Sequence, residues 1–126
     1  MLETISLQAT ADTPGVELDK EQGLFRFEGK SLPEDVLKFY GPVQKWFNEY
    51  RQDPNPNTEI VFNLDYFNSS SARIIVKILI GLENIHAVKS NVHISWYYSE
   101  NDELMYDRGM ELKSVLKLPF DMVEKN

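Results

Sequence analysis

The chain has no cysteine, which removes disulfide frameworks, thiolate metal sites and cysteine nucleophiles together. Its six glycines are scattered at positions 15, 23, 29, 41, 81 and 109, so neither a phosphate-cradling loop nor a dinucleotide fingerprint is present. Cations are the minority: 13 Lys and Arg stand against 20 Asp and Glu, a net charge of −7. A surface of that sign repels phosphate backbones and anionic lipid, so neither nucleic acid nor membrane is expected as a partner. The longest apolar run, Ile74 to Leu82, is interrupted by Lys77 and falls far short of the ~20 residues of a spanning helix. The start, Met1-Leu2-Glu3-Thr4-Ile5, lacks a cationic stretch ahead of an apolar one and does not read as a signal peptide. A cytoplasmic protein is the expectation.

What is present suffices for a core. Of the 126 residues, 42% are hydrophobic and 12% aromatic, which predicts one domain over 1–126. Residues 3–9 alternate loosely, as an edge strand does. Val16-Glu17-Leu18 and Leu24-Phe25-Arg26-Phe27, joined through Glu21-Gln22-Gly23, read as a β-hairpin. Ser31-Leu32-Pro33-Glu34-Asp35 carries helix-start signals. Val36, Tyr40, Val43, Phe47 and Tyr50 then keep one apolar stripe to about Arg51, with Pro42 expected to kink or divide that helix.

Asp53 to Asn57 is loop by composition. Ile60, Phe62 and Leu64 alternate as a strand. Ala72 to Ile85 is apolar on nearly every side, the pattern of the most buried helix. Val92, Ile94, Trp96 and Tyr98 alternate again, so 58–98 reads as a strand–helix–strand unit with parallel strands. Asn101 to Arg108 reads as a short helix stopped by Gly109, and Val115 to Leu118 as a last strand. The expected class is α/β: a mixed β-sheet with an early hairpin and helices packed on it.

The segment with most chemical content is Asp65-Tyr66-Phe67-Asn68-Ser69-Ser70-Ser71-Ala72-Arg73, between a buried strand and a buried helix. One reading is structural: Asn68 or a serine caps the helix and the others fill a polar turn. The other is a phosphoacceptor, because a seryl phosphate there meets helix amide donors and adds nearly two negative charges to a surface partners touch. A hydrolytic serine is not supported. The Gly-x-Ser-x-Gly elbow is missing, and His86 and His93, the only histidines, stand in structural positions. Glu100, Asp102, Glu103 and Asp107 lack the spacing and central glycine of a calcium loop, so no metal or cofactor is expected. Alternation puts Trp96 and Tyr98 on one strand face and Tyr97 on the other. These read as core or, where the sheet end is open, as part of a docking surface; Tyr66 and Phe67 carry the same two readings.

Thr13-Pro14, the hairpin, Gly29-Lys30-Ser31-Leu32-Pro33-Glu34, Phe39-Tyr40 with Pro42 and Trp46, Leu64 through Ser71, and Trp96-Tyr97-Tyr98 follow one another almost end to end. In that order and spacing the chain resembles the SiaC-type regulatory phosphoproteins, a bacterial family similar in fold to STAS domains. The resemblance implies a STAS-like fold and a switch protein without catalysis of its own. In that family a serine/threonine protein kinase phosphorylates a hydroxyl in the strand-to-helix turn and a metal-dependent serine/threonine phosphatase removes it. The unmodified form binds a signalling target, the best known being a diguanylate cyclase. Carried onto this chain, the acceptor falls on Ser69, where the family commonly has threonine, with Ser70 and Ser71 as chemically similar alternatives. Asp65, Tyr66, Asn68, Ser70, Arg73, Tyr97 and Tyr98 are the corresponding partner-binding candidates. The nearest alternative is an STAS-type antagonist that sequesters an anti-sigma factor through the same turn. Either role requires Ser69 to be solvent-accessible at the start of its helix.

Overall fold

A computed structural model describes residues 2–125. The elements in chain order are β1 (Ile5–Leu7), β2 (Gly15–Asp19), β3 (Leu24–Ser31), α1 (Val36–Tyr50), β4 (Asn57–Phe67), α2 (Ser69–Val88), β5 (Asn91–Ser99), α3 (Glu103–Val115) and β6 (Phe120–Lys125). The six strands lie in the sheet in sequence order, β1-β2-β3-β4-β5-β6. The first two pairings are antiparallel and the last three parallel. The predicted hairpin is β2–β3, closed at Gly23, whose φ of 66° is one that glycine adopts without penalty. The predicted parallel unit is β4-α2-β5.

Three successive strand–helix–strand crossovers of the usual right hand step the same way across the sheet, so all three helices land on one face. The burial pattern agrees. Phe25 and Phe27, Ile60, Phe62 and Leu64, and Val92, Ile94 and Trp96 are buried, while Arg26, Val61, Asn63, His93 and Tyr97, of alternate parity, are half-buried on a face that no helix covers; Ser95, in the middle of that face, is buried. A row in register, Phe27, Phe62, Trp96 and Met122, crosses the middle of the core. Phe27 stacks on Phe62 at 5.0 Å, and Trp96, fully buried, donates its indole N–H to the Met105 carbonyl at 3.1 Å.

Several local expectations are corrected. Helix α1 starts at Val36, capped by the Asp35 side chain on the Lys38 amide; Ser31 belongs to β3 and points inward. Pro42 lies inside α1 without dividing it. Pro42 is exposed, and the carbonyl that loses a donor belongs to Lys38, also an exposed residue. Helix α2 is not apolar all round in effect: Val76 and Ile80 are exposed beside Arg73 and Lys77, because no further layer covers the helices. Gly109 does not stop α3, which runs on to Val115, and the last strand is Phe120–Lys125 rather than 115–118. Gly109 is there for contact. A Cβ at that position would fall 2.4 Å from Cδ1 of Trp96.

Candidate functional site

The turn between β4 and α2 is shaped by an irregularity one step earlier. Along β3 and β4 the register passes from Gly29 opposite Leu64 to Lys30 opposite Tyr66, so Asp65 is an extra residue in β4. A bulge shifts the two-residue alternation by one. Tyr66, which would otherwise face inward with Phe62 and Leu64, is 44% exposed, and Phe67 is 8% exposed. Gly29 supplies the backbone on the other strand, with φ of 99°. Phe67 then packs edge-on against Trp96 at 6.0 Å, under the guanidinium of Arg108.

Asn68 caps α2. Its Oδ1 accepts the Ser71 amide at 2.9 Å and the Ser70 hydroxyl at 3.2 Å, and its carbonyl accepts the Ala72 amide. The structural reading of this turn therefore holds for Asn68. The three serines behind it are not equivalent. Ser71 is fully buried and spends its one proton on the Ser31 carbonyl at 3.0 Å, while its oxygen accepts from Ser31 Oγ at 2.9 Å. With the Ser31 proton thus used, the 2.5 Å contact between Ser31 Oγ and the Tyr40 phenol must have Tyr40 donating. Burial pushes the Tyr40 phenol above its ordinary value, against the opposing effect of the Ser31 and Ser71 hydrogen bonds. Ser70 is half-buried and committed to Asn68. Ser69 is exposed at the first residue of α2, and among the described residues no group engages its hydroxyl.

The sequence candidates fall into three places. Asn68, Ser69, Ser70 and Arg73 lie together at the start of α2, with exposed Tyr66 immediately before them. Asp65 and Tyr97 lie on the uncovered sheet face, where Lys125 reaches across β5 to Asn63 and to Asp65, the latter at 3.2 Å. Tyr98 turns to the helix side and packs edge-on against Tyr106 of α3 at 5.0 Å. Ser31 and Tyr40, which anchor the turn, were legible only as a cap residue and a member of the α1 stripe, since they lie 40 and 31 positions before Ser71.

The histidines serve the scaffold. His86 Nδ1 accepts the Val92 amide at 3.0 Å, and His93 Nε2 meets Asp121 at 2.7 Å. Asp102 caps α3 on the Met105 amide. Among the described residues no cluster of His, Asp and Glu is placed to hold a metal ion, and no helix is long and apolar enough to cross a membrane.

The sequence profile of the SiaC family regulatory phosphoproteins matches residues 7–125. An uncharacterised protein of Pseudomonas aeruginosa strain UCBPP-PA14 is 27% identical over 116 residues, 92% of each chain. Apo-SiaC from Pseudomonas aeruginosa is similar in structure with a TM-score of 0.89 at 25% identity, covering 96% of this chain and 98% of that one. A chain in the crystal structure of the diguanylate cyclase SiaD in complex with its activator SiaC, from the same organism, gives a TM-score of 0.90 at 26% identity, with 96% and 99% covered. A match that leaves out only the first six residues and the last, on a fold with a TM-score of 0.89 to apo-SiaC, makes this chain a member of the SiaC family of regulatory phosphoproteins.

Proposed function

We propose that this chain is a phosphorylation-controlled regulator whose unmodified form binds and activates a diguanylate cyclase, with Ser69 as the acceptor. A serine/threonine protein kinase adds the phosphate, a metal-dependent serine/threonine phosphatase removes it, and the chain acts by binding rather than by catalysis, in the cytoplasm. The observation that carries this reading is the unequal state of three adjacent serines. An acceptor oxygen must give up its proton and approach phosphorus in line. Ser69 alone is exposed with its hydroxyl unengaged; Ser70 is tied to Asn68 and Ser71 is enclosed between Ser31 and α2.

In the forward step Ser69 Oγ forms a bond to the γ-phosphorus of a nucleoside triphosphate. The bond to the departing nucleoside diphosphate breaks, and the hydroxyl proton passes to a base of the kinase. In the reverse step a metal-activated water attacks the phosphorus, inorganic phosphate leaves and the hydroxyl is regenerated. The added charge of about −1.5 to −2 disfavours an interface by repulsion and desolvation, the more so on a chain already at −7. The cyclase as partner class is supported by the similarity to SiaC, described as the activator of SiaD.

The test is intact mass and site-resolved phosphopeptide analysis of the protein from its native cells, with and without a metal-dependent serine/threonine phosphatase. A phosphatase-sensitive phosphate on Ser69 is expected; a chain unmodified under all growth conditions refutes the acceptor role. Ser69→Ala should retain the cyclase and Ser69→Asp lose it. Equal affinities would refute the charge mechanism, and pull-down of an anti-sigma factor in place of a cyclase would move the protein to the antagonist class.

A further inference from the structure

Ser69 and Arg73 are both exposed on α2 and four residues apart, the spacing that sets helical side chains side by side with Cβ atoms about 5–6 Å apart. Among the described residues the Arg73 guanidinium has no carboxylate within ion-pair range, the ion pairs being those of Lys20, Arg26, His93 and Lys125. The end of α2 is already occupied by its cap: Asn68 takes the amides of Ser71 and Ala72, leaving only those of Ser69 and Ser70 for an incoming anion. Two amides meet only part of the charge of a phosphate on Ser69, and a side-chain cation within reach would take the rest. The nearest acid in sequence, Asp65, does not compete for Arg73, because Lys125 holds it from the sheet side.

We propose that Arg73 is that counter-ion: on modification its guanidinium folds back one turn and takes two phosphate oxygens in a bidentate pair. This rests on Ser69 as the acceptor and adds a second element to the switch. In the unmodified form Arg73 is free to meet a carboxylate of the partner; in the modified form it is withdrawn. The phosphate thus acts by removing a contact as well as by adding repulsion. Arg is suited to this where Lys is not, because its planar fork matches two phosphate oxygens at once. Other cations border the turn from other elements: Lys38 on α1 across a broad open concavity that Ser70 also lines, Lys30 on β3 opposite Tyr66, and Arg108 on α3, which is engaged over the Phe67 ring. Arg73 alone shares the helix and the four-residue spacing with Ser69.

The test uses the full chain with phosphoserine encoded at position 69 during synthesis, so that it does not depend on the native kinase. The Arg Nε–Hε resonances and the melting temperature are compared with those of the unmodified chain, in wild type and in Arg73→Gln. The Arg73 Hε signal should move downfield and exchange more slowly on modification. The melting temperature should rise more with the phosphate in wild type than in Arg73→Gln, where only the helix amides and dipole act on it, and the difference should shrink as salt screens the pair. Arg73→Lys should recover only part of it. An unmoved Arg73 signal, a response at Arg108, Lys30 or Lys38 in its place, or the same rise in Arg73→Gln would each overturn the pairing. Because the phosphate is installed by synthesis, these outcomes judge the pairing alone, whereas an unmodified native protein judges the acceptor role alone.

Discussion

Gly81 and Gly109 both stand inside helices, and the structure assigns opposite signs to the same substitution at the two. A Cβ at Gly81 meets nothing within 4 Å. Gly81→Ala therefore gains helix propensity without a clash and should stabilise the fold by about 0.5–1 kcal/mol. A Cβ at Gly109 would sit 2.4 Å from Cδ1 and 2.6 Å from Nε1 of Trp96, and 2.7 Å from Cε of Met122. The methionine end can swing away. The indole cannot: it is fully buried, lies between Phe62 and Phe120, and is fixed by its bond to the Met105 carbonyl. Helix α3 must then lift from the sheet, and overpacking of this kind costs about 1–3 kcal/mol. At so short a contact the upper end applies, and after the alanine gain of about 1 kcal/mol the net loss is about 2 kcal/mol. With 1 kcal/mol worth roughly 3–6 °C in a domain of this size, Gly109→Ala should melt about 6–12 °C lower and Gly81→Ala about 2–6 °C higher. Far-ultraviolet circular dichroism melts, backed by urea titration, would read both. A Gly109→Ala variant as stable as wild type would refute the close approach of α3 to Trp96 and with it the reason for a glycine there.

Asn68→Ala should destabilise by about 1 kcal/mol in urea unfolding, the usual cost of losing such a cap, while Asn68→Asp, which keeps the acceptor oxygen, should recover most of it; equal losses would show that the cap is not what Asn68 contributes. Burial raises the Tyr40 phenol above 10.0, so above pH 10 the unfolded chain releases this proton before the folded chain does. The folded state then binds more protons, and the stability Tyr40 provides below pH 10 declines as pH climbs from there through the raised value. Tyr40→Phe should flatten that alkaline decline in melts taken across the window, and an unchanged slope would sink the assignment. Trp96→Phe leaves the Met105 carbonyl without its indole donor, a loss of about 1–3 kcal/mol that should appear in hydrogen exchange as early opening of the first turn of α3.

The order of elements was legible because hydrophobic periodicity reports which face of each segment is covered. The β4-α2-β5 unit and the hairpin follow directly from alternation and turn chemistry. The failures share a cause: they depend on what another segment does. Gly109 reads as a helix stop from its own neighbourhood and becomes a contact residue only once Trp96, thirteen positions earlier, is set beneath it. The exposure of Tyr66 depends on a bulge formed against β3, which strict alternation through Ile60, Phe62 and Leu64 hides. Val76 and Ile80 read as core when α2 is taken to be covered on both sides, and are exposed because the crossovers leave them as the outer layer. At the candidate site, the run of three serines marks the segment but not the difference among them: Asn68 engages Ser70, while Ser71 is engaged by Ser31 from a distant strand, itself held by Tyr40.

Those two residues also bear on how a charge at Ser69 would act. The Tyr40 phenol, the Ser31 hydroxyl and the Ser71 hydroxyl form one directed chain of donors ending on the Ser31 carbonyl, which also accepts the Asn68 amide. It ties α1, the end of β3 and the first turn of α2 inside a site too buried for water to replace any link, so opening it would leave several polar groups unpaired at about 1–3 kcal/mol each. A surface ion pair such as that proposed for Arg73 supplies at most about 1 kcal/mol, too little to break the anchor. The turn should therefore hold its shape in both states, with phosphate changing what the surface presents and leaving the backbone in place. That is the arrangement a partner-exchange device requires: under the function proposed above, the same rigid turn at the C-terminal end of β4 would be offered to kinase, phosphatase and target, and the charge upon it would decide which of them stays bound.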